Sequence, residues 1–139
     1  MSVLSFNGCC IVEDHIAYAI RDPKPCSVSK FLKYIDDNYP TQENKDMITE
    51  IHLANNSISC SGAIQILEYI LTNLHNIRKL DISHNRIYKS DYEHKLFNEK
   101  LLQVLSLETI EKVYVTKDEE EIDYVQKSID EHLKIKNIV

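Results

Sequence analysis

The chain has 139 residues, of which 43% are hydrophobic and 27% charged, with a formal net charge of -6. That length suits one domain with a real core, and the balance is that of a globular protein rather than a disordered tail. The acidic excess excludes a broad nucleic-acid surface, because such affinity comes mainly from neutralising phosphates with Lys and Arg.

The chain starts MSVLSFNGCCIVEDH, which lacks a basic segment and meets Glu13 and Asp14 too early for a cleaved secretion signal. Within it, LSFNGCCI places Leu4, Phe6, Cys9 and Ile11 in the pattern of a short strand that ends in a turn. An insertion follows: the loop RDPKPC, stiffened by Pro23 and Pro25, then a helix over about 28–38, then NYPTQENKD. IHLANNSI, from Ile51, is the next strand and turn. Its helix is announced by Ser61 and Gly62, carries apolar residues at 63, 64, 66, 67, 70, 71 and 74, and ends near Asn76. LDISHNRI, from Leu80, writes the same phrase again, with Ile51/Leu80, Leu53/Ile82, Asn56/Asn85 and Ile58/Ile87 superposed. A helix over about 91–105 leads to VYVTKDEEEI, where Val113, Val115 and Asp118 fit the phrase but Glu120 replaces its Ile. The final helix, about 120–135, aligns Ile122, Val125, Ile129 and Leu133 on one face and is expected to cap the array.

The phrase has a physical reading. Side chains alternate along a strand, so its first and third positions enter the core while the second and fourth face outward. The Asn ends the strand, where its amide can bond backbone groups of a neighbouring turn. One such unit cannot bury its apolar face alone, so copies must stack.

The segment IHLANNSISCSGAIQILEYILTNLHNIRKLDISHNRI resembles leucine-rich repeats of the ribonuclease-inhibitor-like subclass, through Asn56, Ile58, Gly62, Ala63, Leu67, Ile70, Leu80, Ile82, Asn85 and Ile87. The 29 residues from Asn56 to Asn85 sit inside that family's period of roughly 20–29. The resemblance implies an α/β fold, a short leucine-rich-repeat solenoid, or arc, of about four parallel strands with helices on the convex side. A single domain over 1–139 is expected, with an irregular first repeat at 1–47, the best repeats at 48–90, and an irregular last repeat with its capping helix at 91–139. Cys9, Asn56, Asn85 and Asp118 would form the structural ladder of the turns. The resemblance also implies a non-catalytic protein-binding scaffold, an adaptor or inhibitor, whose partner is another protein held on the concave sheet face. An arc this short cannot wrap a globular partner as a long horseshoe does.

The outward positions, taken as the protein-binding face, are Ser5, Asn7, His52, Ala54, Asp81, Ser83, Tyr114 and Thr116, with Asn55 and His84 beside them at the turns. Adjacent strands lie about 4.8 Å apart, which predicts one row of His52, Asp81 and Tyr114. His52, Asp81 and His84 invite comparison with a metal site or an acid–base pair, but a shallow face provides neither a pocket nor supporting ligands. Cys9, Cys10, Cys26 and Cys60 form no CxxC pair and no cluster at zinc spacing, so reduced thiols and a cytoplasmic or otherwise reducing compartment are expected. Export without a cleaved signal is compatible with this. A nucleophilic thiol would need an electropositive or helix-terminal setting, and only Cys60, just before a helix, has one. With two glycines in the whole chain there is no phosphate-cradling loop. The run DEEEID reads as a solvated helix start. No catalytic residue, cofactor, metal, nucleic acid, membrane insertion or small-molecule substrate is therefore expected. The alternative is a structural subunit whose array another chain completes, and a cysteine-dependent enzyme ranks behind both. Abundant Ile, Asn and Lys also suit an AT-rich genome and, with it, a host-directed effector.

Overall fold

The computed structural model describes residues 2–9, 11–12, 26–87, 94–115 and 120–138. The elements in chain order are β1 (Ser2–Ser5), β2 (Ile11–Val12), β3 (Cys26–Ser27), α1 (Val28–Asn38) and α2 (Gln42–Lys45). They continue with β4 (Ile48–His52), α3 (Cys60–Asn73), β5 (Lys79–Asp81), α4 (His94–Leu105), β6 (Lys112–Tyr114) and α5 (Glu120–Ile138). The fold is α/β. A four-stranded sheet runs β1-β4-β5-β6 with every pair parallel, and β2 and β3 form a second, two-stranded parallel pair.

Parallel neighbours need crossover connections, and here a helix stands between each strand of the main sheet and the next. The register places Leu4, Ile51, Leu80 and Val113 side by side. All four are buried, as are Leu53, Ile82 and Val115 two positions on. Ile11, Ile58 and Ile87 complete the buried series beyond the turns. Against these rows pack Phe31 and Ile35 of α1, Ile66, Leu67 and Ile70 of α3, Phe97, Leu101 and Val104 of α4, and Ile129 and Leu133 of α5. α3 lies between α1 and α4, which explains why its apolar residues cover more than one face. Phe6, in the slot held elsewhere by Leu53 and Ile82, meets the rings of Phe31 and Tyr34 edge-on, with centroids 5.4 and 5.3 Å away.

Local signals account for the helix limits. Ser27 caps α1 by accepting a hydrogen bond from the Lys30 N–H at 3.1 Å, and Tyr39 leaves the helix just before Pro40, as a residue before proline tends to. α1 thus occupies the span expected from the sequence. α3 starts one residue earlier than expected, after Ser59, and ends at Asn73 rather than near Asn76. His75 and Asn76 instead form a turn, held where the Asn76 amide donates to the Asp46 carbonyl at 2.9 Å. α5 runs three residues beyond the expected 135.

Two elements inside the expected insertion are additional. α2 is a single turn capped by Thr41, whose hydroxyl accepts from the Asn44 N–H at 3.0 Å. Cys26, expected in a loop, is paired with Ile11 in the β2–β3 ladder. Residues 21–25 of that loop, residues 91–93 at the expected start of α4, and Thr116 and Asp118 of the last phrase lie outside the described residues.

The turns after β1, β4 and β5 share one backbone plan. Gly8, Asn55 and His84 occupy equivalent places with left-handed φ of 67°, 58° and 55°. The N–H groups of Phe6, Leu53 and Ile82 each donate across to the next strand, to the carbonyls of His52, Asp81 and Tyr114 at 2.8, 2.7 and 2.8 Å. Further round, Ser57 N–H donates to the Ile11 carbonyl and Arg86 N–H to that of Ile58. Asn and Gly tolerate the left-handed region readily, which makes Asn55 and Gly8 suited to these sites.

Candidate protein-binding face

The side chains that point away from the helices form two registered rows. The first is Ser5, His52, Asp81 and Tyr114, each paired in register with its neighbour. The second, two residues earlier in each strand, is Val3, Glu50, Lys79 and Lys112. Every residue in both rows is exposed or half-buried, whereas the intervening row facing the helices is buried. The rows lie on the open side of the sheet. The second row went unread in the sequence because it falls one residue ahead of the repeated phrase. Strand alternation alone, extended back one step, would have found it.

The polar groups are organised within strands. The His52 Nε2 and Glu50 Oε1 atoms are 3.0 Å apart on β4. Asp81 Oδ1 accepts from both the N–H and the hydroxyl of Ser83, at 3.0 and 2.6 Å. His52 therefore engages Glu50, and Asp81 engages Ser83, in place of an Asp81–histidine pair. Among the described residues, no three His, Cys, Asp or Glu side chains are grouped so as to hold a metal ion. The Lys79 Nζ sits 5.8 Å from the centroid of the Tyr114 ring.

Two expected contact residues are not on the surface. Ala54 and Ser83 are each only 6% exposed. Asn7 reaches over Ala54, its Oδ1 accepting the Ala54 N–H at 2.7 Å, and Asp81 turns onto Ser83. Both residues lie just past the strand ends, where the chain enters its turns, and each has its backbone N–H bonded by a longer side chain. Asn7 is exposed and takes Ala54's place on the face, as half-buried Asp81 does for Ser83. Asn55 and His84 remain exposed at the rim.

The ladder residues beneath this face repeat one bonding scheme. Asn56 accepts from the Ile11 N–H at 3.0 Å and donates to the carbonyls of Phe6 and Leu53, both at 3.0 Å. Asn85 accepts from the Ile58 N–H at 3.1 Å and donates to the carbonyls of Leu53 and Ile82, both at 2.9 Å. Each amide thus ties its own strand end to the preceding turn. Cys9, expected in the same ladder, departs from it. It is exposed, and among the described residues its thiol donates only to the Asn7 carbonyl of its own turn, at 3.6 Å. Cys60 is 1% exposed within the apolar core, so its thiol is closed to a substrate despite its place at a helix start.

The far edge of the sheet is closed by one side chain. On the outer side of β6, Gln126 of α5 accepts from the Val115 N–H at 2.9 Å and donates to the Val113 carbonyl at 2.7 Å. An amide group thereby stands in for the next strand. At the opposite end of the strands, an open groove of about 570 Å³ lies between Asp46, Met47 and Thr49 on one side and Asn76, Arg78 and Glu111 on the other. The Arg78 guanidinium donates to Glu111 at 2.8 Å, and that bond, with the charges of Glu111 and Glu50, raises its pKa further. The groove's principal cation is therefore already committed.

In comparisons with known proteins, no family model, no curated protein and no solved structure matches the chain. Among the described residues, no helix is long and apolar enough to cross a membrane.

Proposed function

We propose that the chain is a short leucine-rich-repeat arc acting as a non-catalytic protein-binding module, an adaptor or inhibitor that holds a partner protein on the open face of its sheet. The observation that carries this reading is the pair of registered rows, Ser5–His52–Asp81–Tyr114 and Val3–Glu50–Lys79–Lys112, facing away from the helices. Together they offer an aromatic ring, charges of both signs and an exposed Val3, ingredients that make a few contacts dominate an interface. The three left-handed turns and the matching bonds of Asn56 and Asn85 support the stacked-repeat reading, because identical backbone plans are what stacked units require. A reducing compartment suits the unbridged Cys9 and Cys60. A host-directed effector is a role in keeping with such a module.

The test is affinity capture from cell extract with the native chain and the double variant Asp81→Arg/Tyr114→Ala, both shown to be folded by circular dichroism. A partner retained by the native chain and lost by the variant supports the reading. A partner retained equally by both moves the interface to the helices or loops.

A second reading, a subunit completed by another chain, is favoured by one asymmetry. Gln126 closes the outer edge of β6, but among the described residues no strand pairs with the outer edge of β1. An open edge is a template for a further strand. Sedimentation of the purified chain separates the two: the module is monomeric alone, whereas the incomplete array self-associates.

A further inference from the structure

The charges of the open face are unequally committed. Glu50 is held by His52, and Asp81 by Ser83. Lys79 and Lys112 are directly opposite each other in register on β5 and β6, one strand spacing of about 4.8 Å apart. Among the described residues, no carboxylate lies within 4.0 Å of either ammonium. Lys79 instead stands over the Tyr114 ring, and Lys112 is exposed. Like charges placed opposite each other across a sheet repel, so the pair is a local cost on an otherwise acidic chain. An anion laid between the two would remove that repulsion, and the Tyr114 hydroxyl at the same corner adds a donor.

We propose that Lys79, Lys112 and Tyr114 form an anion-binding corner of the open face that receives an acidic segment of the partner protein, through neighbouring Asp or Glu carboxylates. This rests on the reading that the open face binds a partner. The flanking residues limit the ligand. Glu50 pairs in register with Lys79 on one side, and Asp81 pairs with Tyr114. A continuous polyanion crossing the face would meet these carboxylates, so a nucleic-acid backbone is disfavoured while one or two side-chain carboxylates fit the corner. The occupant is thus an acidic peptide segment, and its binding is electrostatically steered and salt-sensitive.

The experiment is fluorescence anisotropy at low ionic strength with three labelled probes: an extended Glu-Ser-Glu-Ser-Glu peptide, the same peptide with Gln for Glu, and a single-stranded oligonucleotide. The full chain is compared with Lys79→Gln/Lys112→Gln, with Lys79→Arg/Lys112→Arg, and with the charge-matched control Lys127→Gln/Lys134→Gln on α5, whose lysines are exposed. Expected is binding of the Glu peptide alone, weakened by salt and weakened about tenfold or more in Lys79→Gln/Lys112→Gln. The arginine variant restores it and the α5 control leaves it unchanged. Absence of Glu-peptide binding, equal binding of the Gln peptide, an equal loss in the α5 control, or preference for the oligonucleotide would each overturn the proposal. If the Glu peptide fails while Asp81→Arg/Tyr114→Ala still loses a cellular partner, only the acidic partner is refuted. If that variant also retains its partner, the binding-face reading falls with it.

Discussion

Replacing Asn56 with alanine removes one side chain that serves two turns at once. Asn56 is 8% exposed, and its amide makes three well-placed bonds, to the Ile11 N–H and to the carbonyls of Phe6 and Leu53. A fourth contact, to the Ala54 carbonyl at 3.4 Å, is weaker. A typical bond of this kind contributes about 1 kcal/mol net, and a buried group left without a partner costs about 1–3 kcal/mol. The Leu53 carbonyl is spared in the single variant, because Asn85 also donates to it at 2.9 Å. The bared groups are then the Ile11 N–H and the Phe6 carbonyl, and the expected loss is about 3 kcal/mol. For a domain whose total stability is roughly 5–15 kcal/mol, that is a large fraction. It corresponds to a fall in melting temperature of about 10 °C. The shared carbonyl gives a sharper consequence. Asn56→Ala/Asn85→Ala strips Leu53 of both side-chain donors, so the double variant should lose more than the sum of the singles, by about 1 kcal/mol. Urea unfolding of the four proteins measures this cycle. A loss below about 1 kcal/mol for Asn56→Ala, or strict additivity in the cycle, would show that the two asparagines do not tie neighbouring turns together.

Gly8→Ala should cost about 1 kcal/mol in urea unfolding although nothing lies within 4 Å of the added methyl, because φ is +67° there; a neutral result would deny that the turn demands this conformation. Gln126→Leu leaves the Val115 N–H and the Val113 carbonyl unbonded on the outer edge of β6. It should destabilise by about 1–3 kcal/mol and speed amide exchange at Val115, and unchanged exchange would show that α5 does not close the sheet. The Tyr69 hydroxyl donates to Asp36 at 2.7 Å, and burial, followed by that bond and the Asp36 charge, raises its pKa. A raised tyrosine pKa contributes stability that is complete below the unfolded value of about 10 and is lost as pH climbs through the folded one. Unfolding free energy should thus fall more steeply above pH 10 in the native chain than in Tyr69→Phe, and parallel slopes would contradict the assignment.

The parts of this molecule legible in the sequence are those where one local rule decides. IHLANNSI and LDISHNRI share an alternation that places Ile51 beside Leu80 and His52 beside Asp81, which is the register found. The span of α1 is readable because Ser27 starts it and Tyr39-Pro40 ends it. The burial of Ala54 and Ser83 was not readable by alternation, since both sit past the strand ends, where Asn7 of the neighbouring turn and Asp81 bond to them. The β2–β3 pair spans two residues and α2 four, too short for any periodicity to show. Cys9 matched the ladder by position but not by bonding, because a thiol lacks the amide group that lets Asn56 accept from one backbone N–H while donating to two carbonyls. The Gln126 clamp joins residues 11 and 13 positions apart through a helix that must first dock, so nothing local announces it.

The most direct test of the binding-face account is site-directed photo-crosslinking. A photoreactive amino acid is placed at Asp81, on the open face, and separately at Gln65, an exposed residue of α3 on the helical side. Each form is irradiated in extract from cells that express the chain, and the products are resolved by mass. A discrete protein adduct is expected from position 81 and none from position 65. An adduct from position 65 alone, or the same adduct from both, would contradict it.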